Sequence, residues 1–428
     1  MKVIADLHIH SRFSRATSEK MTIDEITRFA RIKGLQLVGT GDFTHPKWIE
    51  ELRQKLVEIP DANLYKPAKM PESAVNYMIT GEVATIFTYE GDVKKIHHVI
   101  LTPNLETASQ ISDRLGHFGN LASDGRPILD ISAPRLVEEI MQVSKENVVI
   151  PAHVWTPWFS LFGAFSGFDH IEDCYQDATK HIFALETGLS SDPPMNWRLS
   201  RLDNFTLLSN SDSHSHWPWR IGREANVFDI PRLTYREVVD AIRAKDPARF
   251  RLTIETDPAY GKYHWTGHRN CKVSLPPQEA MKFGNRCPVC RRNLTKGVEQ
   301  RIEELADRPA GFKPANAIGY MHLLPLSEII TTVLGVSYPS VQKVWEIYNA
   351  LIATFGDEYA VLVDAAIEEL SKIVEPRIAE TIVKVRKEQV RVIPGYDGVY
   401  GQLDLSEGQE RPPKTTEPIK QRTISDFL

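Results

Sequence analysis

The chain has 428 residues, 42% of them apolar and 25% charged, the proportions of a globular protein too long for one ordinary core. A net charge of −5 supplies no bulk attraction for nucleic acid, and no uninterrupted apolar run is long enough to span a bilayer. With no signal-peptide pattern ahead of the first apolar stretch, a cytoplasmic protein of two or three domains with no membrane partner is expected.

In chain order, short apolar runs alternate with helical patterns. Residues 2–5, 35–40, 77–81, 96–101, 148–152, 182–185 and 205–209 read as strands. Residues 22–33, which open on a Thr22-x-x-Glu25 capping box, and 134–144 read as amphipathic helices. Strand alternating with helix predicts an α/β fold with a parallel sheet, and seven such strands favour a closed or nearly closed barrel.

Groups able to hold metals follow these strands. His8-x-His10 ends the first, Gly41-Asp42 the second and Gly81-Glu82 the third. His97 and His98 sit on the fourth, His153 ends the fifth, and Asp212-x-His214 closes the series. Residues at i and i+2 of a strand project to one side, so each spaced pair can grip one cation, and only one of His97 and His98 can face the others. Imidazole and carboxylate gathered at one mouth suit Zn²⁺, Mn²⁺ or Fe²⁺; such cations lower the pKa of water and stabilise charge on a phosphodiester oxygen, so phosphoester hydrolysis is the expected reaction.

In order and spacing, His8-x-His10, Gly41-Asp42, Gly81-Glu82, His97, Ala152-His153 and Ser211-Asp212-Ser213-His214 resemble the motifs of the polymerase-and-histidinol-phosphatase (PHP) superfamily. The resemblance implies a distorted seven-stranded β/α barrel, up to three metal ions and phosphoester hydrolysis. It favours His97 over His98. Two departures stand out: Thr40-Gly41-Asp42 replaces Thr-Asp-His, which makes Asp42 a substitute ligand, and Ser14-Arg15-Ala16 stands where an Asp is common.

Two loops at the expected mouth carry further candidates. Asp192, in the Ser191-Asp192-Pro193-Pro194 loop, suits a general base or an added ligand, or else an Asx turn ahead of the prolines. The loop from His153 to Phe168 is rich in aromatic residues and glycine, which suits either stacking on unpaired bases or a lid packed on the barrel. Trp155 and Trp158 there, and Arg198 beyond Asp192, are candidate DNA contacts.

Beyond a linker helix at 235–244, His268-x-x-Cys271 and Cys287-x-x-Cys290 have the spacing of a closed structural zinc site, with His264 as competitor of His268. The stretch 260–310 holds ten Lys/Arg against five Asp/Glu, a basic module in which Arg291 and Arg292 adjoin the last cysteine as further DNA contacts. From 325 the pattern is helical, with Ser327 as a cap and Val341, Val344, Tyr348, Leu351 and Phe355 on one stripe; a bundle packed on the zinc module is expected. Gly395 to Gly401 reads as a glycine-rich turn.

From 404 the composition turns polar and proline-rich, and cannot bury enough to order itself. At its end, Gln421, Ile424, Phe427 and Leu428 resemble the sliding-clamp (PCNA) binding motif of repair proteins. The barrel motifs, the Ser191–Trp197 loop, the zinc spacing and the Gly395–Gly401 turn together resemble the endonuclease Q family of thermophilic archaea and some bacteria. That resemblance implies a barrel at 1–230, a linker and zinc module at 231–310, a helical domain at 311–403 and a tail at 404–428. It implies cleavage of DNA 5′ of deaminated bases (uracil, hypoxanthine, xanthine) or abasic sites, with Mg²⁺ or Mn²⁺ for activity besides zinc, and Asp192 and Asp212 as acidic participants.

Overall fold

The computed structural model describes residues 1–404. Its strands are β1 (Lys2–Asp6), β2 (Leu37–Gly39), β3 (Leu56–Ile59), β4 (Leu64–Pro67), β5 (Asn76–Tyr89), β6 (Asp92–Thr102), β7 (Ile128–Leu129), β8 (Val148–Pro151), β9 (Ala184–Glu186), β10 (Thr206–Leu208), β11 (Ala225–Asp229) and β12 (Phe250–Glu255). All seven runs expected from the sequence are strands, but the sheet is mixed. β1–β2 and β2–β5 pair in parallel, whereas β5–β6, β6–β8, β1–β11 and β11–β12 are antiparallel.

The largest departure is the hairpin of β5 and β6. β5 does not stop at Gly81 but runs on to Tyr89, where Glu90 and Gly91, both at positive φ (50° and 90°), make a two-residue turn matched to the twist of the strands. Glu82 and His97 therefore lie midway along a long ribbon.

Helices such as Ile23–Lys33, capped by the Thr22 hydroxyl on the Glu25 N–H (3.4 Å), and Ala133–Val143 flank the sheet, so the architecture is mixed α/β. β9 and β10 form their own parallel pair. Single links join it to the rest: Val154 N–H to Glu186 O (2.9 Å) on the β8 side, and an Ile9–Ser213 bridge with His10 N–H to Ser213 O (2.9 Å) on the β1 side. Among the described residues no unbroken ladder closes the seven strands into a ring.

Beyond β12 lie β13 (Thr266–His268), β14 (Val273–Leu275) and β15 (Gly319–His322), the last added in parallel to β12. The helices Leu326–Leu334, Gln342–Phe355 and Pro376–Arg386 follow. Ser327 does not cap the first of them. Pro325 holds that position, and Ser327 is buried in the first turn with its hydroxyl unpaired.

Nor does the bundle share a core with the Cys/His module, on which it was expected to pack. Its apolar face shares one continuous core with the sheet domain, in which Ile4 and Phe29 join Ile330, Leu351 and Ile382. At that junction Lys33, 1% exposed, places its Nζ 2.8 Å from both Glu358 Oε1 and Pro218 O. Glu358 also accepts from Leu326 N–H (2.9 Å) and Tyr348 O–H (2.7 Å). No described helix is long and apolar enough to cross a membrane.

A buried charge stripped of its partner is costly, so Lys33→Met is expected to destabilise the protein by about 3–5 kcal/mol in urea unfolding, with much of the loss recovered in the Lys33→Met/Glu358→Leu double variant. A single-variant loss under about 1 kcal/mol would show that the pair does not hold the bundle on the sheet domain.

Candidate metal centre

Glu82 and His97 project from the middle of the β5–β6 ribbon, while the other donors follow the ends of strands. Asp42, His153 and Asp212 adopt φ of 49°, 30° and 46°, left-handed values that residues other than glycine seldom take. Each turns the chain sharply after a strand. Before Asp42, Gly41 (φ 65°) passes so close to the segment after β1 that a Cβ would lie 2.2 Å from the Ile9 carbonyl oxygen.

Two groups of donors result, with Glu82 common to both: His8, His10, Glu82 and Asp212, and Glu82, His97 and His153, the donor atoms of each within 4.8 Å of one another. In the first, the His10 Nε2 lies 3.0 Å from Asp212 and 3.2 Å from Glu82 Oε2, and the His8 Nε2 lies 3.5 Å from the same Glu82 oxygen. In the second, His97 Nδ1 and His153 Nε2 lie 2.9 and 3.2 Å from Glu82 Oε1 and 3.2 Å from each other. Two imidazole nitrogens aimed at one point need a cation or a proton between them. Burial alone would raise the Glu82 carboxyl, but His97, Arg126 and His8 outweigh it and hold the group well below the ordinary carboxylate range.

Second contacts orient the imidazoles. The His8 Nδ1 is 3.0 Å from both Glu186 oxygens, so donation there leaves Nε2 as a bare acceptor, and that atom is buried without a hydrogen-bond partner. Glu186 is held in turn by Asn210 Nδ2 (2.8 Å) and His153 N–H (2.9 Å). The His10 Nδ1 meets Asp42 Oδ1 at 2.9 Å, and Asp42 Oδ2 accepts from Ser11 N–H (2.6 Å), Ser11 Oγ (2.7 Å) and Ser14 Oγ (3.0 Å). The orphaned His8 nitrogen and the paired donors fit divalent cations.

Several sequence expectations are relocated. Asp42 sits behind His10 as an orienting carboxylate, outside both groups. His214 also lies outside them; its ring is 4.3 Å from that of His10 and its Nδ1 is 3.0 Å from the Asp212 carbonyl. His97 faces the centre, while His98 is buried between Tyr175 O–H (2.9 Å) and Thr85 Oγ1 (3.0 Å), pushed down to about 3 by burial and by His97. Asp192 is a helix N-cap rather than an Asx turn, since Pro194 has no N–H to give; it accepts from Met195 N–H (2.9 Å) to cap Pro193–Asn196, and its other oxygen is 3.2 Å from His322 Nε2. Burial would lower the His322 imidazole, but Asp192 and Glu388 outweigh it and hold it up at about 10. Asp192 is no member of either donor group.

Two of the DNA candidates are structural. Trp155 is buried, donating Nε1–H to Asn196 (2.8 Å) and packing on Phe162, because the loop folds inward as a lid. Arg198 is committed to Glu303 at 2.6 Å. Trp158 is 43% exposed, stacked on exposed Phe165 beside Tyr263, and Phe159 of the same loop lies 4.9 Å from the His97 ring.

In the basic module, His268, Cys271, Cys287 and Cys290 place their donor atoms within 4.8 Å of one another, whereas the His264 ring meets Glu299 at 3.5 Å. Among the described residues its own buried core is Ala280, Cys287 and Leu294. Arg291 and Arg292 are exposed on its surface. The Gly395–Gly401 turn packs backbone to backbone, Gly401 so close to Ala259 that a Cβ would lie 2.1 Å from its oxygen. Gln421, Ile424, Phe427 and Leu428 lie outside the described residues.

Sequence reading missed Glu186, Arg126 and His322. Glu186 ends β9 as Glu82 follows Gly81, and that parallel was its one available signal. Arg126 lies on a loop without a motif, and the pairing of His322 with Asp192 spans 130 positions.

Buried imidazoles and carboxylates paired around a shared glutamate define a multi-cation centre of the kind metal-dependent hydrolases use. Comparison with known proteins narrows this. A family model described as the MJ0043 C-terminal domain matches residues 325–389. The uncharacterized protein MJ0043 of Methanocaldococcus jannaschii is 36% identical over 262 residues, which are 59% of this chain and 31% of that protein, so the match spans about a third of that relative's length. Two solved structures match along nearly their whole length, each at TM-score 0.84 and 34% identity over 95% of this chain. They are the lesion-specific endonuclease PfuEndoQ from Pyrococcus furiosus (96% of that chain) and an endonuclease Q complex with a 27-mer duplex bearing an abasic lesion at the active site (97%). The chain belongs to the endonuclease Q family.

Because Glu82 serves both groups, Glu82→Gln is expected to empty both, while Asp42→Asn, acting through His10, lowers metal affinity about 10–100-fold. Metal content by mass spectrometry and competition with a chelator check both. Undiminished binding in Glu82→Gln would refute the shared-carboxylate arrangement.

Proposed function

We propose that this chain is a metal-dependent DNA repair endonuclease that cuts the phosphodiester on the 5′ side of deaminated bases (uracil, hypoxanthine, xanthine) or abasic sites. The observation that carries the reading is the convergence of orphaned and paired imidazoles on Glu82 in a chain of the endonuclease Q family, one member of which was crystallised with an abasic duplex. The seven strands around that centre are read as a distorted PHP-type barrel, and the work is placed in the cytoplasm.

His8, His10, Glu82, Asp212, His97 and His153 would hold the cations. Bound there, Zn²⁺, Mg²⁺ or Mn²⁺ would supply acidified water and positive charge beside the phosphate. The chain's own part is positional. Glu186 and Asp42 fix the two histidine rings of the first motif, and the inward lid keeps water from one side. Water oxygen bonds to phosphorus as the bond from phosphorus to the 3′ oxygen breaks, leaving a 3′-hydroxyl and a 5′-phosphate.

His268, Cys271, Cys287 and Cys290 are read as a structural zinc site that stiffens the basic module, whose Arg291 and Arg292, with Trp158, would meet the flanking duplex. Asp192, capped and paired with His322, is read as positioning the loop beside the centre. The spacing of Gln421, Ile424, Phe427 and Leu428 supports a sliding clamp (PCNA) as partner.

End-labelled duplexes carrying one uracil, hypoxanthine or abasic site, incubated with Mg²⁺ or Mn²⁺ and then with chelator, test substrate, cut position and metal need together. Nicking 5′ of the lesion is expected. Inert duplexes alongside phosphate release from a chromogenic phosphomonoester would replace the reading with a small-molecule phosphatase. Asp212→Asn should lower nicking at least ~10²-fold with duplex binding retained. Deleting 421–428 should abolish clamp capture and leave nicking of free duplex unchanged.

A further inference from the structure

We propose that Arg126 is a catalytic residue that grips a non-bridging oxygen of the scissile phosphate, an inference that rests on the phosphodiesterase reading above. Arg126 lies in the loop ahead of β7, and that loop is tied down on both sides. Asp124 Oδ1 accepts from Arg126 N–H (3.1 Å) and Arg15 N–H (3.2 Å), and Pro127 O accepts from Ala84 N–H (2.9 Å) on β5. Gly125 lets the loop run over the rim of the centre. A Cβ there would lie 2.3 Å from both Asp42 Oδ2 and Ser14 Oγ, so no larger residue fits without displacing the group that orients His10.

The guanidinium that results stands over the shared carboxylate, with Nη1 3.1 Å from Glu82 Oε2. Among the described residues this is its single hydrogen bond, although a guanidinium carries five N–H donors. The side chain is 26% exposed. Arginines elsewhere differ in how far they are satisfied: Arg201, with one bond to Leu305 O (3.3 Å), leaves Nε and Nη2 buried and unpaired, whereas two others make three bonds each. Arg308 donates twice to Asp203 (2.8 and 2.5 Å) and to Trp197 O (3.3 Å), and Arg386 donates to three carbonyls at 2.7, 3.1 and 2.8 Å. Arg126 leaves most of its fork unbonded beside a centre whose other groups are imidazoles and carboxylates.

A planar fork of donors matches two oxygens of a phosphate, and its charge does most where the phosphoryl oxygens gain charge during displacement. Arg126 transfers no proton. It donates hydrogen bonds while water bonds to phosphorus and the 3′ oxygen leaves, its proton coming from that water.

The test uses full-length protein with its metals. Arg126→Ala is expected to retain its metal content, to lose ~10²–10³-fold in single-turnover nicking of a uracil duplex, and to regain at least about tenfold with added guanidinium. Inhibition by inorganic phosphate should weaken in parallel, and Arg126→Lys, the variant least prone to misfold, should fall between. Loss of metal together with activity, without guanidinium rescue, would make Arg126 a latch on Glu82 and overturn the proposal, as would unchanged nicking. Wild-type protein that cuts no lesion duplex would instead sink the endonuclease reading. Calorimetric binding of inorganic phosphate, lost in Arg126→Ala, would in that case still support the phosphate site.

Discussion

A single buried carboxylate organises this molecule. Glu82 has no counter-ion on its own strand. It is kept ionised inside the protein by four imidazoles, from β6 and from the segments after β1 and β8, and by one guanidinium from a loop. An uncompensated charge at that depth would cost several kcal/mol, so the strand ends must converge for the fold to persist. Stability and chemistry thus make the same demand on the same residues.

The backbone bears part of that demand as strain. Asp42, His153 and Asp212 all take left-handed conformations, and residues of ordinary φ would carry their side chains away from the centre. Behind them a layer of neutral and acidic groups, Asn210, Glu186, Ser11, Ser14 and Asp42, sets the tautomers of His8 and His10. The second charged anchor, Lys33 with Glu358, ties the C-terminal helices to the sheet domain through one continuous core. The basic module around His268 and the three nearby cysteines has only a small core of its own, with the Gly395–Gly401 turn packed against it through Asp397, which accepts from Arg269 N–H (2.7 Å) and Thr295 Oγ1 (2.7 Å).

The docking of these parts explains why DNA contacts were hard to choose by composition. Trp155 and Trp158 are three residues apart in one aromatic loop, yet the first is buried on Phe162 and the second lies exposed on Phe165. Arg198 looked like an available cation until the chain folded Glu303 onto it from 105 positions away.

By itself the sequence located the seven strands, the six residues that the structure gathers into two groups and the Cys-x-x-Cys spacing, because apolar runs, i and i+2 pairs and Cys-x-x-Cys are local patterns, but it also counted as ligands Asp42 and His214, which lie outside both groups. Even the inward-folded lid was written in local composition as an alternative. Tertiary structure alone decided that β5 and β6 form a long hairpin, that Asp42 orients His10 where Glu82 serves two groups, that Glu186 and Arg126 belong to the centre, and that the helical bundle rests on the sheet domain. The hairpin apart, those outcomes depend on contacts between residues 32 to 325 positions apart, and a sequence carries no local trace of which distant group will fill the remaining valence of a buried charge.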